Sequence, residues 1–255
     1  MSGRVVVVTR PLGQAEVLIA GIHQRGGEVI EFPLIEIDGP VDFSSLDRVL
    51  ARLDDFSLAF FVSPNAVRFT LARLSLTRGV WPHTLQVATV GRGSERALHE
   101  AGFEHVVAPV VGFDSEAVLA LNAFSPEEIV GRQVVIFRGD GGRDLLGATL
   151  EKRGAKVCYA TAYCRRCPAG DVALLSRRVQ SGQLDAMVVT SSEGVRNLLT
   201  MCGDAGLGAL AQVLVFASHP RIAEHARQAG FKQVIETMPG DAGVLDALDK
   251  YFHAA

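Results

Sequence analysis

Short apolar runs alternate with amphipathic segments along the whole sequence. Residues 58–62 (LAFFV) and 213–217 (VLVFA) are uninterrupted apolar runs of the length that buried parallel strands have. Residues 221–229 instead carry apolar positions at helical spacing, which predicts an amphipathic helix. Strands that alternate with helices are typical of parallel sheets with helices on both faces, so we predict an α/β fold.

The sequence also repeats itself. Several short segments reappear in the same order, three of the pairs at an offset of 128 positions and the last pair at 126. The matching pairs are residues 25–29 with 153–157, 61–68 with 189–196, 101–103 with 229–231, and 118–119 with 244–245. Because the order and the offset are nearly constant, we predict two copies of one α/β unit.

Two long extended stretches, residues 29–37 and 157–165, occupy matching places in the two copies. Pro33 interrupts the first stretch, and proline favours a sheet edge or a connection over a central strand. We therefore interpret both stretches as parts of linkers between two similar domains. The predicted division is a discontinuous domain 1 of residues 1–28 plus 168–255, a domain 2 of residues 41–155, and linkers at residues 29–40 and 156–167.

A glycine-rich turn, residues 138–143 (RGDGGR), lies between a predicted buried strand and a predicted helix. Its glycines permit a tight turn, and the amide groups of a helix start favour an anion. Arg138 and Arg143 flank the turn, and each can bind a carboxylate or phosphate through two hydrogen bonds. The turn is not a GxxxxGK[ST] phosphate loop, and residues 91–93 (GRG) lack the third glycine of a dinucleotide motif.

The other turns that follow predicted strands are rich in hydroxyls, glycines and arginines. Ligands of open parallel sheets bind beyond the carboxyl ends of the strands, so two domains with facing turns would form a cleft suited to a polycarboxylate. The predicted ligand-binding residues are Arg10, Ser63, Asn65, Gly91, Arg138, Gly139, Gly142, Arg143, Thr190, Ser191, Ser218 and Arg221. An alternative is that the serines, threonines, asparagine and prolines of these turns are helix caps and first-turn residues.

Composition narrows the class of protein. A net charge of −3 argues against a nucleic-acid partner. The start of the chain has no long apolar segment of a signal peptide, and no run of apolar residues is long enough to span a membrane. We expect a cytoplasmic protein with reduced cysteines. Cys164 and Cys167 have CxxC spacing without a second pair, so no metal site is predicted.

Six segments in order make the chain resemble the uroporphyrinogen-III synthase family over almost its whole length. They are TRP (9–11), FVSPNAV (61–67), ATVGRGSERALHEAGF (88–103), FRGDGGRDLLGATLEKRGAKV (137–157), TSSEGVRNLL (190–199) and SHPRIAEHARQAGF (218–231). The resemblance implies two α/β domains joined by a two-stranded linker, with the active site between them.

The resemblance also implies a function. Enzymes of this family are lyases of tetrapyrrole and heme biosynthesis that close hydroxymethylbilane to uroporphyrinogen III, with inversion of the last pyrrole ring and loss of water. No metal and no organic cofactor are expected. We further expect a cytoplasmic monomer whose partner is this small-molecule substrate, with a transient handover from the preceding deaminase and no contact with membranes.

The family's functional tyrosine corresponds to Tyr163, for which the resemblance implies proton donation to the departing hydroxyl. The family's cleft positions correspond to Arg10, Ser63, Arg138, Gly142, Arg143, Thr190, Ser191 and Arg221. The chain departs from the family pattern at residues 218–220 (SHP), which leaves the role of His219 open.

Two other functions are compatible with the predicted fold. One is a non-enzymatic, two-domain ligand-binding or sensor protein for a polycarboxylate. The other is an enzyme that binds a phosphate-containing ligand at the Gly139 turn. Neither accounts for the ordered set of turn motifs.

Overall fold

The computed structural model describes residues 1–142 and 144–254. The chain divides into two compact units: unit 1 comprises Met1–Ile37 and Arg166–Ala255, and unit 2 comprises Asp38–Arg165. The chain thus passes from one unit to the other after Ile37 and returns after Arg165.

Strands and helices alternate through both units. In chain order the strands are β1 (Val5–Val8), β2 (Glu28–Glu31), β3 (Glu36–Asp38), β4 (Leu58–Phe61), β5 (Gln86–Thr89), β6 (Val106–Val107), β7 (Gln133–Gly139), β8 (Lys156–Arg166), β9 (Ala186–Val189), β10 (Leu214–Ala217) and β11 (Gln233–Glu236). The helices are α1 (Glu16–Gln24), α2 (Ser44–Leu50), α3 (Pro64–Thr77), α4 (Arg92–Glu100), α5 (Ser115–Leu119), α6 (Pro126–Ile129), α7 (Leu145–Lys152), α8 (Val172–Gln180), α9 (Ser192–Cys202), α10 (Pro220–Gln228) and α11 (Gly240–Ala254).

The two sheets confirm the internal repeat. One has the strand order β11-β10-β9-β1-β2 and the other β3-β8-β7-β4-β5-β6, so the second contains the same order plus the short strand β3. Strands β1, β2, β4 and β5 begin 128 residues before β7, β8, β9 and β10. The pairing registers correspond as well, since Val5 lies opposite Glu28 and Gln133 lies opposite Lys156. The neighbouring strands of both repeats run parallel, as predicted.

Burial on both faces of the sheets explains the uninterrupted apolar runs. In unit 1, Val7 packs in a cluster with residues of α9 and α10, whereas Val6 and Val8 pack on the other face with residues of α1 and α11. All three valines are at most 1% exposed. Successive strand residues point to opposite faces, so a strand covered on both sides has no position for a polar side chain.

The stretches predicted as linkers are largely strands of the two sheets. Residues 28–31 form β2, an edge strand that pairs with β1 and ends before Pro33. Residues 157–165 lie within β8, which pairs with β7 over most of its length. When an extended segment pairs with an open strand edge, its backbone groups form hydrogen bonds with that strand. In a free linker the same groups would form hydrogen bonds with water.

None of the helices in the described part of the chain is both long enough and apolar enough to cross a membrane.

Candidate functional site

The predicted ligand-binding residues lie along the carboxyl edge of the sheet in their own unit. Parallel strands place the turns that follow them on one edge. In unit 1 these residues are Arg10 after β1, Thr190 and Ser191 after β9, and Ser218 and Arg221 after β10. In unit 2 they are Ser63 and Asn65 after β4, Gly91 after β5, Arg138, Gly139 and Gly142 at the end of β7, and Tyr163 in β8. Arg143 lies outside the described residues.

Tyr163 is enclosed on three sides within unit 2. It is only 6% exposed. Its ring lies against the backbone of Gly139 and stacks on Phe69 of α3, with ring centroids 6.1 Å apart. Its hydroxyl lies 3.0 Å from the Oγ of Ser63. The phenol therefore has one orientation, and its polar end is at the start of α3.

A β-bulge determines which face of the sheet Tyr163 occupies. Arg138 of β7 lies opposite Thr161 of β8, but the next residue, Gly139, lies opposite Tyr163, so Ala162 is an extra residue in β8. Before the bulge, Tyr159 shares a face with the residue opposite it in β7, Ile136. With regular pairing, Tyr163 would point to the same face as Tyr159; the bulge turns it to the other.

The face before the bulge contains a pocket of about 250 Å³. Sequence reasoning did not identify this pocket or Tyr159. The lining is mainly apolar: Phe60, Val62, Val90, Phe113, Ile136 and Leu146, with Asp114, Ser115, Arg138, Gly141, Gly142, Gly147 and Tyr159. The Tyr159 ring lies 4.9 Å from the Arg138 guanidinium, and its hydroxyl occupies the space that a Cβ at Gly147 would need.

Burial raises the pKa of the Tyr159 phenol, and the charges of Asp144 and Glu151 raise this pKa further, partly opposed by Arg138. The phenol is therefore protonated at neutral pH and can donate a hydrogen bond toward the pocket.

Arg138 binds its own turn. Its guanidinium donates to Asp144 at 2.6 Å and to the carbonyl oxygens of Gly141 and Gly142 at 3.2 and 3.3 Å. Gly141 and Gly142 have φ values of +77° and +122°, which only glycine adopts readily, so they allow the turn to fold around the guanidinium. The sequence prediction treated Arg138 as an anion-binding side chain, and it did not anticipate these internal partners.

Some side chains of these turns act as helix caps. Ser63 accepts a hydrogen bond from the Ala66 amide of α3, and Ser191 accepts from the Glu193 and Gly194 amides of α9. His219 caps α10 through its Nδ1, which accepts from the Arg221 amide at 3.1 Å. The capping alternative is therefore correct for Ser63 and Ser191, and His219 has a structural role at this position.

Arg10 of unit 1 forms an ion pair with Asp241 at the start of α11, with 2.5 Å between the charged atoms. It also donates to the Gln14 carbonyl at 3.4 Å. Arg221 is exposed, and Thr190 and Ser218 are half-buried.

Within residues 1–142 and 144–254, no three His, Cys, Asp or Glu side chains are grouped closely enough to hold a metal ion.

Comparison with known proteins identifies relatives of the chain. The chain is 32% identical over 196 residues to uroporphyrinogen-III synthase of Escherichia coli, covering 77% of this chain and 79% of that protein. It is 30% identical over 199 residues to the uroporphyrinogen-III synthase of Synechococcus elongatus, covering 76% and 73%.

Solved structures share the fold. A mutant uroporphyrinogen III synthase from Thermus thermophilus matches with a TM-score of 0.60 at 18% identity, over 99% of this chain and 100% of that one. The uroporphyrinogen-III synthetase of Helicobacter pylori matches with a TM-score of 0.57 at 12% identity, over 97% and 99%. The family model described as "Uroporphyrinogen-III synthase HemD" matches residues 16–246. On this evidence the chain belongs to the uroporphyrinogen-III synthase family.

Proposed function

We propose that this protein closes linear hydroxymethylbilane to uroporphyrinogen III, inverting the last pyrrole ring and releasing water, as a lyase of heme biosynthesis. The chain belongs to this family, and the observation that carries the proposal is the position of the Tyr163 phenol. The phenol lies at the carboxyl edge of unit 2, in contact with Ser63. The phenol is a neutral acid next to the turns that were predicted to bind the ligand.

The first chemical step is loss of the terminal hydroxyl of the substrate. A hydroxyl group leaves more easily as water than as hydroxide, so a proton donor accelerates the step. Tyr163 supplies that proton. Departure leaves a cationic azafulvene, and neutral hydroxyls and backbone dipoles stabilise the bound substrate without repelling this cation.

The second task is to select the isomer. Closure without an enzyme gives isomer I, in which the last ring is not inverted. To give isomer III, the substituted carbon of the last ring attacks first and forms a spiro intermediate, so the protein acts mainly by positioning. We assign the substrate's carboxylates to the turns at the carboxyl edges, including the backbone amides near Gly91 and Gly142 and the side chains of Thr190 and Arg221.

Three further parts of the proposal concern the setting. The protein works in the cytoplasm as a monomer, and it receives its unstable substrate from the preceding deaminase. Sedimentation analysis of the purified protein tests the monomer, and a dimer at micromolar concentration would contradict it.

The test of function is the isomer that is made. Fresh hydroxymethylbilane is incubated with the protein, the reaction is stopped early, the products are oxidised to porphyrins, and isomers I and III are separated by chromatography. We expect predominantly isomer III. Isomer I alone, at the rate of a reaction with heat-denatured protein, would overturn the proposal and favour a binding or sensor protein.

A further inference from the structure

We propose that Ser63 is a positioning residue that donates its hydroxyl hydrogen to the phenol oxygen of Tyr163, which leaves the phenol proton for the substrate. This inference rests on the proposed function and adds a role for Ser63 that is separate from direct substrate contact.

Ser63 makes two hydrogen bonds, one as acceptor and one as donor. The Oγ accepts from the Ala66 amide at 3.1 Å. That bond leaves the hydroxyl hydrogen unused, and this hydrogen donates to the phenol oxygen of Tyr163 at 3.0 Å. A phenol oxygen that accepts this bond keeps its own O–H for another acceptor.

The same chain of hydrogen bonds stabilises the phenolate that forms after proton transfer. It runs from the first turn of α3, a helix of 14 residues, through Ser63 to Tyr163. A helix start carries partial positive charge, and a hydroxyl that accepts a hydrogen bond becomes a better donor. Because Tyr163 is 6% exposed, little water is present to replace the Ser63 donor.

The reaction step balances with the groups present. The O–H bond of Tyr163 breaks as its proton moves to the substrate hydroxyl, and the carbon–oxygen bond breaks to release water. The substituted carbon of the last ring bonds to the azafulvene carbon and forms the spiro intermediate. The bond from that ring carbon to its bridging methylene then breaks, the methylene bonds to the unsubstituted α-carbon of the last ring, and the proton that this α-carbon loses returns to the phenolate. Ser63 keeps its hydrogen throughout, so it acts through Tyr163.

The internal repeat shows that capping alone does not require the phenol. Ser191, which lies 128 residues after Ser63, caps α9 in the same way. The residue 128 positions before Tyr163 is Ile35, which has no hydrogen-bonding side chain. Unit 1 thus keeps the capping serine without a tyrosine, so the Ser63–Tyr163 contact is additional to the folding role of the serine.

The experiment separates capping from donation. Ser63→Gly removes the hydroxyl without adding charge, and glycine at an N-cap costs only a few tenths of a kcal/mol. Ser63→Thr keeps both the acceptor and the donor. Ser125→Gly is the matched control, because Ser125 caps α6 in unit 2, near the amino end of β7. Each variant is measured for kcat and KM of isomer III formation and for its urea unfolding midpoint.

We expect Ser63→Gly to lower kcat by about tenfold or more, with little change in KM. This loss is a part of the rate acceleration that a general acid contributes. Ser63→Thr restores kcat, and Ser125→Gly leaves it unchanged with a similar small shift of the unfolding midpoint. In a Tyr163→Phe background, Ser63→Gly costs nothing further, because the group through which it acts is gone.

Three results would overturn the inference. They are an unchanged kcat in Ser63→Gly, an equal loss in the Tyr163→Phe background, and a Tyr163→Phe enzyme with full turnover. All three are distinguishable from failure of the proposed function, since each requires a wild-type protein that makes isomer III. A wild-type protein that makes only isomer I refutes both together.

Discussion

Gly139 lies against the ring of Tyr163 with no space for a methyl group between them. A Cβ built at Gly139 would lie 2.8 Å from the Cε2 and Cζ atoms of that ring and 3.1 Å from its hydroxyl oxygen. The two residues are opposite each other in β7 and β8, on the far side of the bulge. The glycine is therefore required by its neighbour, and the fit between them holds the phenol next to Ser63.

Gly139→Ala should displace the Tyr163 ring and lower both activity and stability. An extra methyl in a packed site costs about 1–3 kcal/mol. We expect a fall in kcat for isomer III formation and a lower urea unfolding midpoint. As a control, Tyr163→Ala removes the ring, and Gly139→Ala should then cost much less stability. Equal costs in both backgrounds would show that the methyl clashes with something else.

Deleting Ala162 should remove the bulge and retain isomer III formation. Ala162 is the extra residue, so without it β8 pairs regularly with β7 and Tyr163 still lies opposite Gly139, on the face away from Tyr159. Far-ultraviolet circular dichroism checks the fold, and the isomer assay checks the activity. The length-preserving change Ala162→Gly should retain most of the activity. Loss of isomer III formation in the deletion variant, with the sheet intact, would contradict this register.

Arg138 should contribute more to stability than its ion pair with Asp144 does. Asp144 is 72% exposed at the side chain, and pairs with an exposed partner contribute about 0–1 kcal/mol. Asp144→Asn should therefore change the unfolding free energy by less than about 1 kcal/mol. Arg138→Met also loses both carbonyl contacts of the turn, so it should cost more and speed amide exchange at Gly141 and Gly142. Equal costs would contradict this prediction.

Stability should fall at alkaline pH in a way that depends on Tyr159. Burial raises its pKa above the ordinary value of 10.0. Below pH 10 the phenol is protonated in both the folded and the unfolded state, and its contribution to the free energy of unfolding is complete. As the pH rises above this value, the unfolded state ionises first, so stability is lost until the folded state ionises too.

Urea unfolding between pH 8 and pH 11 tests this prediction by comparison with Tyr159→Phe. The variant keeps Tyr163 and Tyr251, so the difference in slope reports Tyr159. We expect a shallower loss of stability in the variant, and equal slopes would contradict the prediction.

Much of the fold followed from local pattern. The apolar runs at Leu58–Phe61 and Ala186–Val189 are strands because parallel strands are buried on both faces. The local pattern does not mark the start of α3, because Ser63 and Pro64 also suit a turn, whereas in the structure they are the cap and first helical residue. It does not mark helix α6 either, since four residues are too few to show helical periodicity.

The candidate site was predictable in position but not in its contacts. The strand-end turns could be located because each strand end was marked by its sequence. The partners of Arg138 and Arg10 could not, because Asp144 and Asp241 become neighbours only when the turn folds and when α11 packs beside β1. Charge composition shows how many arginines a chain has, and the packing decides which of them are already paired.

The sequence by itself determined the alternation of strands and helices, the repeat at an offset of 128, and the placement of chemically active residues after strands. The tertiary structure alone decided that Tyr163 meets Ser63 and Gly139 while Tyr159 faces the pocket on the other side. Both tyrosines lie in one strand at positions of the same parity, so their own segment predicts the same face for both. The difference arises from the pairing of β8 with β7, because a bulge is a property of two strands in register, and neither strand encodes it alone.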